Sequence, residues 1–367
     1  MKQLTYASRI KAEILCNGLK LSNKAFKFLK KNYSYVFDDE YMHGAFLLLE
    51  NGYSINAAIS EKYTRNANLV LQYEQGSLFV QLKNKKPFKV SVIRPQKWYW
   101  HQTPSGKYFI DILQIHGRNT LFCKTYQPCD YYLNNKECLF CKFPKVKELT
   151  SENFEDIEYV VRKLCSEIKG NNYNIAISGG SRISKKIEYE NLNNIIDSIK
   201  NVDHYIPISI EISPPNRIDQ LNLLNLKRID NIIVNIEFID KEIRKIFCPG
   251  KSTIPIDHYL NVLKHCVKIL GKYKVSSVLI YGIENSKLTI NYAKKLLQIG
   301  VIPTILPFRP YDKTKLLNYK PTNSEEYFEI GMLISNYIKE YIKDSSNIFG
   351  CTSCGGCSLE LDQLLSL

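Results

Sequence analysis

Between residues 109 and 310 the chain alternates strand-length runs, apolar on both faces, with amphipathic stretches of helix length. The strand-like runs are FIDILQI (109–115), YNIAISGG (173–180), PISIEISPP (207–215), NIIVNIEFI (231–239), KVSSVLIYGIE (274–284) and VIPTILPFRP (301–310). Between them lie EDIEYVVRKLCSEI (155–168), ENLNNIIDSIK (190–200), IDQLNLLNL (218–226), HYLNVLKHCVKIL (258–270) and LTINYAKKLLQIG (288–300). A strand apolar on both faces must be covered on both, and a helix between strands makes a parallel, right-handed crossover. The expected fold is α/β: a partial (βα)6 barrel of the TIM type, with its chemistry at the C-terminal ends of the strands.

Residues 1–105 have no such rhythm. They mix helical stretches with short strands such as LVLQYEQGSLFVQL (69–82), and read as an α+β region. Turn chemistry at Pro104, Ser105 and Gly106 joins them to the barrel, expected over 106–315. Residues 316–367 are expected to form a helix and a cysteine-rich tail. No apolar run reaches the length of a membrane span, and the first residues, MKQLTYASRIKAEIL, lack a secretory h-region. With an odd number of cysteines, eleven, the expectation is a cytoplasmic protein. The net charge of +14 comes from lysines spread along the chain, and runs such as KAFKFLKK (24–31) read as solvated faces. That charge suits a small anionic substrate or an acidic protein partner better than nucleic acid.

Seven of the eleven cysteines fall in two clusters. Cys123, Cys129, Cys138 and Cys141 lie within LFCKTYQPCDYYLNNKECLFCKF (121–143), and Cys351, Cys354 and Cys357 within GCTSCGGCSLE (350–360). Clustered soft thiolates favour iron–sulfur or zinc. Cys129, Cys138 and Cys141 offer three ligands on one loop. A four-iron cluster held by three protein thiolates keeps one iron open to a small molecule, and Phe140 can shield it. The alternative is a zinc knuckle in which Cys123 is the fourth ligand.

A tri-cysteine loop after the first strand of a βα barrel, with an aromatic before the third cysteine, resembles the radical SAM superfamily. The first gap is longer than the superfamily's usual C-x3-C-x2-C. More closely, the chain resembles the radical SAM proteins of nitrilase-associated gene clusters. The stretches concerned are IHGRNTLFCKTYQPCDYYLNNKECLFC (115–141), IEISPP (210–215), IEFIDKEIRKIFCPGK (236–251), VSSVLIYGIEN (275–285), PFRP (307–310) and GCTSCGGC (350–357). The resemblance implies a [4Fe–4S] cluster on Cys129, Cys138 and Cys141 that chelates S-adenosylmethionine (SAM). It places Gly179, Gly180 and Ser181 at the methionine amino group, with Ser181 departing from the usual acid. Glu211 and Glu237 would meet the ribose hydroxyls or the sulfonium, Ser276 and Ser277 the carboxylate, and Gly282 would border the adenine. The implied activity is reductive cleavage of SAM to a 5′-deoxyadenosyl radical that modifies a small metabolite, with a flavodoxin or ferredoxin as electron donor.

Cys351, Cys354 and Cys357, laced with Gly350, Gly355 and Gly356, form a compact nest suited to an auxiliary iron–sulfur cluster. Cys123 is the natural fourth ligand there and Cys248 the second choice. Arg309, ending the last strand, is the substrate-side residue best suited to an anion, with His116 and Arg118 behind it. Tyr281 is a weaker candidate as a late hydrogen-atom donor. Two other functions stay open: aminocarboxypropyl transfer from SAM, and a zinc-organised nucleic-acid-binding protein.

Overall fold

The computed structural model describes residues 2–37, 44–65, 67–82, 87–93, 96–125, 128–141, 151–310 and 314–365. The N-terminal region contains α1 (Lys2–Asn17), α2 (Asn23–Asn32) and α3 (Glu61–Thr64). Its strands are β1 (Lys20–Leu21), β2 (Gly44–Leu49), β3 (Ser54–Ala58), β4 (Leu69–Glu74), β5 (Ser77–Leu82) and β6 (Phe88–Val92). They pair in the order β1-β4-β5-β6-β2-β3, antiparallel except for β1 with β4. Local chemistry sets the boundaries. The Ser22 hydroxyl accepts from the Ala25 amide at 3.2 Å to start α2. Gln75 and Gly76, both at positive φ, make the tight β4–β5 turn.

The second sheet has the order β7-β8-β9-β10-β11-β12-β13. Its strands are β7 (Leu113–His116), β8 (Thr120–Lys124), β9 (Asn174–Ser178), β10 (Ile208–Ile212), β11 (Asn231–Val234), β12 (Val275–Tyr281) and β13 (Val301–Pro307). From β8 to β13 every pairing is parallel and joins neighbours in sequence; β7 runs antiparallel to β8. The helices of this part are α4 (Phe109–Ile112), α5 (Asp130–Leu133), α6 (Ser151–Gly170), α7 (Lys185–Lys200), α8 (Lys241–Phe247), α9 (Ile256–Leu270) and α10 (Ser286–Gln298). After them come α11 (Ser324–Tyr341), α12 (Cys351–Cys354) and α13 (Asp362–Leu365). The chain is thus a mixed α/β protein that fits a partial α/β barrel loosely.

Two departures from the expected barrel have physical causes. FIDILQI is not its first parallel strand: Phe109–Ile112 is a helical turn, started by the Tyr108 amide donating to the Asp111 carboxylate at 3.2 Å, and only 113–116 is extended. The strand before the cysteine loop is β8. Between β10 and β11 no α-helix forms; the expected helix at 218–226 is replaced by 3₁₀ turns at Ile218–Leu223 and Leu226–Arg228. There Asn193 of α7 donates to the Leu223 carbonyl and accepts from the Asn225 amide. A side chain thereby takes the backbone groups that a helix would have paired.

The tail is built into the fold. Phe349 N donates to Asn231 Oδ1 at 3.1 Å, Gly350 N to Asn174 Oδ1 at 2.7 Å, and Thr120 Oγ1 to the Gly350 carbonyl at 3.1 Å. Ser276 Oγ and Thr352 Oγ1 share a bond of 2.8 Å. These partners are the first or second residues of β11, β9, β8 and β12. On its other side the tail meets β3: Ser54 Oγ donates to the Cys354 carbonyl and Asn56 N to the Gly356 carbonyl, both at 2.6 Å. The segment therefore lies at the N-terminal ends of the parallel strands, held between the two sheets.

Candidate metal centre

The 129–141 loop is pinned on both flanks. On one, the Asp130 amide donates to the Ser181 carbonyl at 2.9 Å, the Asp130 carboxylate accepts from the Ile183 amide at 2.7 Å, and Arg182 pairs with it at 3.4 Å. This fastens the turn after β9 to the residue beside Cys129. Gly179 is obligatory there, because a Cβ would sit 1.7 Å from Thr125 Oγ1. On the other flank, Leu139 N donates to the Phe247 carbonyl at 2.8 Å and Gly250 N to the Lys136 carbonyl at 3.0 Å. Cys141 N closes a turn on the Cys138 carbonyl at 2.9 Å. Cys138 is buried, Cys129 half-buried and Cys141 exposed. The Phe140 ring meets Phe238 edge-on at 5.9 Å, within an apolar group that includes Phe247, Ile280, Phe308 and Leu316.

Two carboxylates lie near the C-terminal ends of β10 and β11. Glu211 accepts from Ser178 Oγ at 2.9 Å and from Asn235 Nδ2 at 2.5 Å, and Asn235 is itself fixed by the Val278 amide at 3.0 Å. Burial raises the Glu211 carboxyl above its ordinary value, and Lys251 opposes the rise. Glu237 has φ +67°, which a side-chain-bearing residue rarely adopts, and is held by backbone bonds to Val278 and Ile280 on β12. Its carboxylate pairs with Lys251 and lies 3.8 Å from Cys248 Sγ. The donor atoms of Cys138, Glu237 and Cys248 all lie within 4.8 Å of one another. Burial, then Cys138, then Glu237 drive the Cys248 thiol upward.

The structure thus brings Cys129, Cys138, Phe140, Cys141, Gly179, Gly180, Ser181, Glu211 and Glu237 to one end of the parallel strands. Lys251, Asn235 and Ser178 also belong to this end and are not evident from the sequence; Cys248, expected only as a second choice for the tail site, lies here as well. Their partners lie on other strands or a helix away, although CPGK (248–251) stands in a stretch already singled out by resemblance.

The other expected site residues are engaged with partners of their own. Ser276 bonds the tail, and Ser277 Oγ accepts from the Ile236 amide at 3.2 Å. Gly282, at φ +108°, gives room to Thr322, whose hydroxyl spans the Tyr281 and Phe308 carbonyls. Arg309 is buried and donates to the Asn56 carbonyl at 3.2 Å, toward the N-terminal sheet. His116 stacks on Phe122 with ring centroids 4.7 Å apart; burial, then Lys124, pushes its pKa down to about 3, so it carries no charge for an anion. Arg118 lies near Asp362 of the tail and near Tyr53, which precedes β3. Tyr281 is buried beside Tyr327, with ring centroids 6.3 Å apart.

Among the tail cysteines, Cys354 Sγ accepts from the Gly356 amide at 3.4 Å and Cys357 Sγ from Asn56 Nδ2 at 3.7 Å. The Cys351 thiol is driven up by burial, then by Cys354, Glu211 and Cys357. Cys123 does not join them. Thr120 on the same strand faces the tail, and the two-residue alternation of a strand turns Cys123 to the opposite face, into the apolar core. Cys248 lies with the 129–141 loop and not with the tail.

No protein-family model matches the chain, and no curated protein matches it in sequence. Among solved structures it is similar to Streptococcus suis SuiB, at 12% identity and a TM-score of 0.45 over 61% of this chain. The match spans 47% of that chain, about half its length. A likeness this distant carries no argument about activity.

Proposed function

We propose that the chain is a radical SAM enzyme acting on a small, anionic metabolite. One observation carries the reading. Cys129, Cys138 and Cys141 occupy a single loop that is fastened to the Gly179–Ser181 turn and to residues 247–250, at the C-terminal ends of parallel strands. The donor set fits an iron–sulfur cluster: three sulfurs on one loop, graded from buried to exposed, with the buried Glu237 carboxylate close to Cys138. Cys129, Cys138 and Cys141 would hold the cluster, which when loaded with SAM supplies the electron that cleaves it to methionine and a 5′-deoxyadenosyl radical.

The chain's own residues prepare that place. Phe140, Phe238, Phe247 and Phe308 keep water from one side of the loop. The Gly179–Ser181 turn offers backbone groups at close range, and Glu211 and Glu237 offer carboxylates to hydroxyl or cationic groups of a ligand. Lys251 pairs with the Glu237 carboxylate. The tail cysteines are proposed to hold an auxiliary cluster and a flavodoxin or ferredoxin to deliver electrons, in a cytoplasmic protein divided near residues 105 and 315. Among the described residues no helix is long and apolar enough to cross a membrane.

The test is anaerobic reconstitution with iron and sulfide, then dithionite and SAM, with mass spectrometry of the SAM fragments. 5′-Deoxyadenosine that is absent from a Cys141→Ala chain supports the reading. Methylthioadenosine instead would mean aminocarboxypropyl transfer. A colourless zinc protein that leaves SAM intact would overturn it and turn attention to nucleic-acid binding.

A further inference from the structure

We propose that the cleft between α3 and residues 317–321 is a binding site for the phosphate group of a small organic molecule. The inference deepens the proposed function, and rests on it only in taking that molecule to be the substrate. The cleft holds about 260 Å³ and is lined by three cations, Lys62, Arg65 and Lys320. Such a volume is just under the usual range for ligand pockets, about 300–1,000 Å³, so it suits a head group and part of its carrier. Among the described residues no carboxylate lines the cleft, and none of the three cations has an acidic partner. Lys315, earlier in the same segment, is by contrast paired with Glu137 at 2.8 Å. Three like charges around one concavity repel each other, and an oxyanion relieves that repulsion while accepting their hydrogen bonds. A phosphate ester fits better than a carboxylate, because it brings about two negative charges and three strong acceptor oxygens to three donors.

The walls are fixed by the fold itself. On one side the Tyr63 hydroxyl donates to the Cys16 carbonyl, fastening α3 to the end of α1. On the other, the Tyr319 amide donates to the Leu316 carbonyl at 2.9 Å. The Tyr319 ring meets Phe247 and Phe308 edge-on, with centroids 5.8 and 6.3 Å away. Pro310 and Pro321, whose rings stiffen the backbone, complete the lining. The tyrosines and prolines set apolar surface beside the charges, which a bare ion does not use and the carbon part of an ester does. The cleft also stands at the metal-loop end of the molecule. Pro310 follows the C-terminal end of β13, Lys315 reaches the residue before Cys138, and Leu316 belongs to the apolar group of Cys138 and Phe247. A second cleft, beside the N-terminal end of β12, gives the contrast. It is lined by Lys272, Lys274 and Lys343, but Asp344 lines it too, and Lys343 is spent on the Lys339 carbonyl at 2.5 Å.

The test titrates phenyl phosphate and inorganic phosphate into the full chain by isothermal titration calorimetry, both metal-free and reconstituted. The variants are Arg65→Gln, Lys320→Gln and the two combined, with Lys272→Gln in the second cleft as control; all three positions are exposed, so the fold tolerates the change. Wild type and control are expected to bind phenyl phosphate saturably, and more tightly than inorganic phosphate. The double variant is expected to weaken that binding by about tenfold or more, the consequence of losing hydrogen bonds from charged donors. Added salt is expected to weaken it as well, because exposed charges are screened. No saturable binding in wild type, or an unchanged affinity in the double variant, would overturn the inference. Inorganic phosphate that binds as tightly as the ester, and is lost with it, would mean a free-ion site and overturn the seat for an organic molecule. Binding is read directly and not through turnover, so the two readings fail separately. A chain that binds the ester and leaves SAM intact loses the radical SAM reading alone; one that cleaves SAM and binds no phosphate loses the cleft alone.

Discussion

Glu237 combines two costs in one residue. Its backbone lies in the left-handed region, at an expense of about 1–2 kcal/mol for a residue with a Cβ, and its carboxylate is buried. Both are tolerated because β12 clamps the backbone through Val278 and Ile280 and because Lys251 supplies the opposite charge. Replacing Lys251 with Met is therefore expected to destabilise the metal-free chain by about 3 kcal/mol in urea titration, the usual consequence of stranding a buried charge. The matching change at Lys245, whose pair with Glu242 is exposed, is expected to leave the midpoint unmoved. Equal effects at the two lysines would show that Glu237 is not held by charge. Glu211 and Glu237 stand out in the sequence because each interrupts an apolar strand run. Lys251 does not, because its partner lies 14 residues away across α8. Asn235 reads as an ordinary strand-end residue until its two bonds, to Glu211 and Val278, are seen.

At the level of elements, the cysteine loop depends on its docking more than on its own structure. Its one helix, α5, has four residues, too few to hold itself, so the backbone bonds to Ser181, Phe247 and Gly250 set its position. Gly250→Ala tests this. The added methyl would push into Tyr131 and the Lys136 carbonyl, at a cost of about 1–3 kcal/mol for an overpacked site. Iron retained after gel filtration is expected to fall by more than the loss of melting temperature would suggest, whereas Gly76→Ala, where nothing lies within 4 Å, measures the backbone cost of positive φ alone. Iron binding that is equal in the two variants would separate the loop's seat from the metal. Five of the six strand runs were legible from their two-sided apolar pattern. The first was not, since FIDI is as apolar as a strand and only the Tyr108–Asp111 bond turns it into a helix. The same shift of strand put Cys123 inside β8, where alternation, unreadable without the register, decides which face it takes.

Across the whole molecule, the C-terminal segment is the part that the sequence least reveals. Its glycines and cysteines suggest a metal nest appended to a barrel, but the segment bonds the first or second residues of four strands of one sheet and β3 of the other. Burying it brings charge inside. Lys11 of α1, fully buried, donates to the Asp362 carboxylate and to the Gly355 carbonyl, each at 2.5 Å. Glu360 is 1% exposed and accepts from the Ile305 amide of β13 at 3.1 Å. Burial raises the Glu360 carboxyl from its ordinary 4.5 to about 7. The folded chain then holds a proton that the unfolded chain releases, so this group's contribution to stability is complete below about pH 4.5 and is lost as pH rises through about 7. Such a rise corresponds to roughly 3 kcal/mol across the window. Asp362, raised to about 6 by burial, acts in the same direction. Glu360→Gln cannot ionise, and is expected to gain stability relative to wild type as pH increases from about 4.5 to 7, whatever its offset at the acid end. Urea midpoints of the metal-free chains at several pH values measure that difference. A difference that stays constant with pH would mean that Glu360 reaches water in solution and that the tail is not seated between the two sheets. A difference that grows with pH would make the tail a buried part of the fold, one that loosens as the pH becomes alkaline.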